Sequence, residues 1–366
     1  MMQFDNASQN DKNFEWRNEY MSSINYNSRI EKLKSRYNPD KLQIVENRVF
    51  SETQGLFGDT QKYVRMAMMA VDSDYTAKSK QAGEAAKEHL KRELTDVEFR
   101  YQGSVMTDTH IKGSSDIDLL VICTKFNHTD IDRVRRELNA IGNHTNSELS
   151  NLRSYSNRFS RYQGNCYEDL RQLRLDVESV MASHYTICDI SKPKSVKITN
   201  QNLHRDVDVV TSCWYDSYYY VVNGEDETNR AISIYNKETN TDKGPDYPFL
   251  SISRINNRSA ATNGRLKRMI RFLKNVRSDS DKNIDLTSFE INAICYDIPQ
   301  SEYQDKEYKE LVNIVWSKMW HLWKDGKTDD LKSVVGNEYV FKNKPEKVEA
   351  LKLLEDEVWK ISQDLK

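Results

Sequence analysis

The sequence predicts an α+β protein in two lobes, a mixed-sheet lobe followed by a helical one. Three observations carry that expectation. Short runs that suit strands fall between residues 97 and 210, helical periodicity brackets them on both sides, and from Ala261 onward almost every pattern is helical. The stretch 225–250 gathers Gly, Asn, Asp, Pro245 and Pro248, as a linker would. The expected division is therefore an N-terminal extension over 1–55, a sheet lobe with a leading helix over 56–225, and a helical lobe over 226–366.

Taken in order, residues 1 to about 40 are rich in Asn, Ser and charge, which suits a loosely held extension with a helix through Arg29 to Arg36. Tyr63, Ala67, Ala70 and Val71 then recur at helical spacing, and Ala85, Ala86, His89 and Leu90 continue it. Gly83 interrupts this region, leaving one long helix or two with a bend. Val97 to Tyr101 alternates as a strand and runs into Gly103-Ser104. A second strand begins at Asp116 and passes through Leu119, Leu120, Val121 and Ile122. Residues 130–141 and 167–184 read as amphipathic helices with an Asn/Ser-rich loop between them. Ser195 to Ile198 and Val207 to Val210 read as two more strands. In the second half, Leu266, Met269, Ile270, Leu273 and Val276 form the apolar stripe of a helix.

Composition bounds the function. The 366 residues include 20 Tyr, 11 Phe and 6 Trp with a net charge of only -2, so the chain has the means to fold. No apolar run is long enough for a membrane-spanning helix, and the start Met-Met-Gln-Phe-Asp does not read as a secretory signal. The 5 cysteines are dispersed without a C-x-x-C, which fits reduced thiols in a cytoplasm. His184 and Cys188 are spaced to seed a zinc site, but the rest of a ligand set is missing. Balanced charge argues against a stable nucleic-acid partner and leaves room for a local phosphate groove.

The chemistry concentrates between Gly103 and Asp208. Asp116 and Asp118 sit two apart at a strand start, so both point to one face, where they repel unless a cation lies between them. Hard oxygens on a rigid strand suit Mg²⁺, with Mn²⁺ as a substitute. Gly103-Ser104 lies at a turn just before, where glycine allows close approach and the serine adds a donor to an anion. Asp208 is set among Val207, Val209 and Val210, a costly place for an acid unless something neutralises it. Asp206 shares its face and is the competing candidate, although Arg205 beside it offers a partner. Three carboxylates holding two metals are an apparatus for in-line nucleotidyl transfer, in which Asp208 also helps deprotonate a ribose hydroxyl. His110 and His204 lie near as candidate bases, or as surface and supporting histidines.

The order Gly-Ser, a gap, Asp-x-Asp and a later apolar-flanked Asp resembles the DNA polymerase β-like nucleotidyltransferases. The finer text Gln102-Gly103-Ser104, Thr109, Asp116-Ile117-Asp118, approached through Tyr75-Thr76-Ala77-Lys78, resembles their cGAS/DncV-like branch (CD-NTases) of bacterial anti-phage (CBASS) systems. Arg271-Phe272-Leu273-Lys274 and Leu286-Thr287-Ser288-Phe289-Glu290 resemble that branch's helical lobe. The resemblance implies a catalytic lobe with Asp116, Asp118 and Asp208 as catalytic and metal-holding residues, and a helical lobe closing the nucleotide cleft. It further implies that Gly103, Ser104, Thr109, Lys274 and Ser288 bind the nucleotide. The basic run from Arg258 to Arg277, with Lys267, Arg271 and Lys274 on one face, becomes a candidate triphosphate clamp. The implied reaction joins nucleoside triphosphates, ATP among them, into a cyclic di- or trinucleotide signal. The partners implied are an effector that reads the signal and operon-encoded regulators. Two rivals stay open at this point: a template-independent transferase acting on RNA, protein or a small molecule, and a nucleotide-binding regulator without turnover.

Overall fold

The computed structural model describes residues 24–36, 58–113, 116–140 and 142–365, so only part of the extension expected over 1–55 lies among them. Asn25 caps the first helix, α1 (Tyr26–Ser35), by accepting from the Ser28 N–H at 2.9 Å. The helical region after it divides into α2 (Asp59–Met68) and α3 (Ser73–Glu93). The break falls at Met69–Asp72 and not at Gly83, because Asp72 caps α3 by accepting from the Tyr75 N–H at 2.8 Å. Gly83 is buried inside α3, where a Cβ would stand 2.9 Å from the Tyr101 ring. Glycine there lets the helix lie close against the sheet.

Among the described residues, seven strands form one mixed sheet: β1 (Val97–Gln102), β2 (Ile117–Thr129), β3 (Cys188–Asp189), β4 (Val196–Asn200), β5 (Arg205–Asp216), β6 (Ala231–Asn236) and β7 (Thr241–Asp246). β5 is its hub. One edge of β5 runs parallel to β2, and the other pairs antiparallel with β4 and then with β6. A parallel pair needs a crossover, supplied here by α4 (Ile131–Leu138), α5 (Asn146–Arg158) and α6 (Cys166–His184). α5 occupies the stretch expected to be a loop. Its Thr145/Glu148 capping box starts a helix whose composition is polar because little beyond Leu152 and Tyr155 is buried.

β6 and β7 correct the linker expected over 225–250, and the sheet continues to Asp246, past the boundary expected at 226. β7 (Thr-Asp-Lys-Gly-Pro-Asp) has no apolar alternation because it is an exposed edge strand, held by backbone pairing to β6. The chain then forms α7 (Tyr218–Val222, between β5 and β6), α8 (Pro248–Ala261), α9 (Arg265–Asp279), α10 (Ser288–Tyr296), α11 (Gln300–Tyr303), α12 (Tyr308–Lys324) and α13 (Pro345–Asp364). The run between α12 and α13 is not helical, apart from a 3₁₀ turn at Thr328–Asp330.

Each face of the sheet buries a different layer. Ala82, Ala86 and Leu90 of α3 and Leu170 and Val177 of α6 cover Leu119, Val121, Val207 and Val209. The opposite face presents Leu120, Ile122, Val210 and Trp214 toward Phe249 of α8. The helical lobe has its own core, in which the α9 stripe Leu266, Met269, Ile270, Leu273 and Val276 is fully buried. Ile30 of α1 and Tyr63 and Val64 of α2 join that core, so the first part of the expected leading helical region packs with the helical lobe, while α3 packs on the sheet. Replacing Gly83 tests the close approach of α3 to the sheet. Gly83→Val is expected to lower the unfolding free energy by about 1–3 kcal/mol through overpacking, read as a reduced urea midpoint with an unchanged slope.

Candidate active site

Register brings the aspartates together. Asp118 and Asp208 are direct partners across the parallel β2–β5 pair, so their side chains emerge side by side on one face. Asp116, two residues before Asp118, follows onto that face. Lys197 of β4 is the partner of Asp208 on its other side. Its ammonium reaches Asp116 at 2.6 Å and Asp206 at 3.0 Å, while Lys192 lies 3.4 Å from Asp208 and the Ser195 hydroxyl donates to Asp208 at 3.2 Å. Asp206 also accepts from the Thr199 hydroxyl at 2.6 Å, so it is committed to β4, and Asp208 is the acid level with Asp118. The Arg205 guanidinium lies over the Tyr75 ring at 3.9 Å.

The electrostatics show what the trio lacks. Burial first, then the charges of Asp208 and Asp116, push the Asp118 carboxyl up to about 7. Asp116 is also raised, because burial outweighs its pairing with Lys197. Two lysine ammoniums supply the positive charge in this structure, and the Lys197 pKa rises through its two carboxylate partners, against its own burial. The trio is open. Among the described residues, the one group of three His, Cys, Asp or Glu ligand atoms lying within 4.8 Å of one another is elsewhere in the lobe. An all-oxygen, carboxylate-rich donor set with a charge deficit fits Mg²⁺.

Gly103 sets the turn above the carboxylates. Its φ is +87°, and a Cβ there would stand 2.1 Å from the Asp118 carboxylate. The turn is closed by the Thr109 N–H and the Thr107 hydroxyl, which donate to the Ser104 carbonyl at 3.0 and 3.2 Å. Gly103, Ser104 and Thr107 line a 210 Å³ cleft. Its far wall includes Ser288, in the first turn of α10, and Asn292 one turn on. The structure therefore unites Gly103, Ser104 and Ser288 in one space.

Two other expected nucleotide contacts lie behind the turn. Thr109 is fully buried, with its hydroxyl 2.8 Å from that of Thr107. Lys274 is 2% exposed and donates to the Thr109 carbonyl at 3.0 Å. Part of the candidate clamp serves likewise as struts. Arg271 donates to the carbonyls of Met68 at 3.0 Å and Asp108 at 2.6 Å, and Arg258 and Arg265 donate to carbonyls within the helical lobe. The reason is local: the inner face of α9 packs on α2 and on the turn, whose carbonyls need donors.

His110 is buried against Thr76, and desolvation pushes it down to about 4, so it is neutral at pH 7 and supports the turn. His204 is exposed in the β4–β5 turn. His184 stacks on His89 with ring centroids 3.9 Å apart. The sequence reading missed Lys192, Ser195 and Lys197. Their signal was the basic run Lys-Pro-Lys-Ser-Val-Lys over 192–197, just before the strand that carries Asp208.

A sheet whose central strands carry three aspartates at one end, with a Gly-Ser turn against Asp118 and a helical lobe beside it, defines a polymerase β-like nucleotidyltransferase. Residues 253–363 match the model of the cGAS/DncV-like nucleotidyltransferase C-terminal helical domain. A c-di-GMP synthase of a Lachnospiraceae bacterium (strain RUG226) is 59% identical over 345 residues, covering 94% of this chain and 100% of that protein. The solved STING-associated CdnE c-di-GMP synthase of Capnocytophaga granulosa is 42% identical, with a TM-score of 0.76 over 93% of this chain and 99% of that one. The one from Flavobacteriaceae sp. is 35% identical, with a TM-score of 0.83 over 94% and 99%. The chain belongs to the cGAS/DncV-like nucleotidyltransferase family.

Two outcomes follow from this geometry. Gly103→Ala forces a side chain onto Asp118, and is expected to reduce turnover at least about a hundredfold while circular dichroism stays native. Burial holds the Lys274 ammonium down to about 7, against 10.5 in a solvated chain. The native state sheds this proton first, so the group's contribution to stability rises with pH between those values and is flat below them. The stability of the wild type relative to Lys274→Met, from urea midpoints, should climb over that window.

Proposed function

We propose that the chain condenses two molecules of GTP into cyclic di-GMP, releasing one pyrophosphate at each of two transfers. The observation that carries this reading is the pairing of Asp118 with Asp208 in register, with Asp118 directly against Gly103, whose turn also lines the cleft that holds Ser288. The choice of guanine rests on the relatives, which are described as c-di-GMP synthases, and it replaces the ATP expected from the sequence. Asp246 and Glu338 also line the cleft, and their carboxylates suit the two adjacent N–H donor groups on the guanine edge.

Asp116, Asp118 and Asp208 would hold Mg²⁺, which when bound offsets triphosphate charge and lowers the pKa of the attacking hydroxyl. Asp208 then accepts the proton from the ribose hydroxyl of one nucleotide as its oxygen bonds to the α-phosphorus of the other. Gly103 permits close approach of the phosphates, Ser104 donates a hydroxyl, and Ser288 together with the positive N-terminal end of α10 faces them from the second lobe. The linear intermediate keeps a triphosphate at one end and a ribose hydroxyl at the other. One site therefore serves both transfers.

The cyclic product would act as a signal in anti-phage defence. The Capnocytophaga and Flavobacteriaceae enzymes are described as STING-associated, which favours a STING-type effector as its reader.

The test is GTP alone with Mg²⁺, followed by phosphatase and mass spectrometry. A phosphatase-resistant species with the mass of a closed guanine dinucleotide is expected. Asp116→Asn with Asp118→Asn should give none while remaining folded. Products that require ATP, or only linear products, would overturn the assignment.

A further inference from the structure

We propose that His128, Cys213 and Asp242 form a second metal site, for a transition-metal dication of the zinc type, on the sheet face opposite the aspartates. Register delivers the three side chains. His128 of β2 is the partner of Tyr215 on β5, and so shares the face of Cys213, two residues away. Cys213 is the partner of Ser233 on β6, and Asp242 of β7 is the partner of Tyr235, two residues beyond Ser233. One ligand atom from each lies within 4.8 Å of the other two. Cys213 and Asp208 are five residues apart on β5, so they point to opposite faces. The site is thus separate from the cleft.

Several features suggest a cation here rather than a simple ion pair. His128 Nε2 and Asp242 Oδ2 stand 3.3 Å apart and are buried, yet neither makes a hydrogen bond. Orphaned polar atoms of this kind call for an explanation. The surroundings are already organised. The Tyr167 hydroxyl contacts Asp242 Oδ1 at 3.4 Å, and the Tyr215 ring stacks within 7° of the imidazole plane of His128. Such outer partners fix the orientation of metal ligands. Ser233, the residue paired with Cys213 on β6, is small and 1% exposed.

One nitrogen, one sulfur and one oxygen suit zinc and exclude magnesium as the preferred ion, with water in the fourth position. Cys213 is fully buried, and its burial keeps the thiol protonated in the metal-free chain. Binding would therefore release one proton to solvent as the thiolate forms. The consequence is mechanical. β7 is an edge strand held in the sheet by β6, and it leads through Asp246 and Tyr247 into the cleft wall. An ion bridging β7 to β5 and β2 would fasten that wall.

The test uses the purified full-length protein with Co²⁺ in buffer containing excess Mg²⁺. One equivalent should bind, give thiolate-to-cobalt absorption in the near ultraviolet, and be displaced by Zn²⁺. Zn²⁺ should also raise the melting temperature. Cys213→Ser should abolish the absorption, and Cys188→Ser should leave it intact. Asp242→Asn, on the partly exposed edge strand, should weaken Zn²⁺ binding at least about tenfold even if Cys213→Ser folds poorly. No absorption, absorption that survives Cys213→Ser, or Zn²⁺ affinity unchanged in Asp242→Asn would overturn the site.

Discussion

Asp118 faces Asp208 because β2 and β5 run parallel in one register, and that pairing concentrates negative charge at one end of the sheet's central strands. Two unit charges about 5 Å apart repel by roughly 3 kcal/mol at an effective dielectric constant of 20. Burial of Asp118 adds to this, and its carboxyl is pushed up to about 7. Lys192 and Lys197 reach in from the segment of β4 and offset part of the repulsion. Such a cluster is a poor way to stabilise a sheet. Its oxygen-rich donors suit a hard divalent cation.

The turn from Gly103 to Thr109 links this charge to the second lobe. On one side Gly103 lies against Asp118, where a side chain does not fit. On the other side Arg271 and Lys274 of α9 grip the carbonyls of Asp108 and Thr109. Arg271 also holds the Met68 carbonyl at the end of α2. A shift of α9 relative to the sheet therefore moves the turn above the carboxylates. Arg271 and Lys274 of the basic face of α9 are mechanical in this structure, although its spacing looked like a phosphate clamp.

The clustering of the aspartates was more legible in the sequence than the framework around it. Asp116 and Asp118 stood out because period-two geometry puts them on one face, and Asp208 because an acid among valines needs a partner. The α9 stripe was legible from its strong helical period. Lys192 and Lys197 were not, since their link to the aspartates depends on which strand β4 joins, a non-local choice. α5 and β7 were missed because both are polar: one buries few side chains, and the other relies on backbone pairing. The family resemblance located Ser288 in the cleft. It placed Lys274 on a triphosphate, whereas the packing of α9 against the turn places it on Thr109.

The most direct measurement is anomalous diffraction from crystals of the protein grown with Mn²⁺ and a non-reactive GTP analogue. Manganese peaks are expected among Asp116, Asp118 and Asp208, with the triphosphate against Gly103 and Ser104 and Lys197 released from Asp116. A bound nucleotide with no manganese at those carboxylates, or with Lys197 still occupying Asp116, would contradict this assignment.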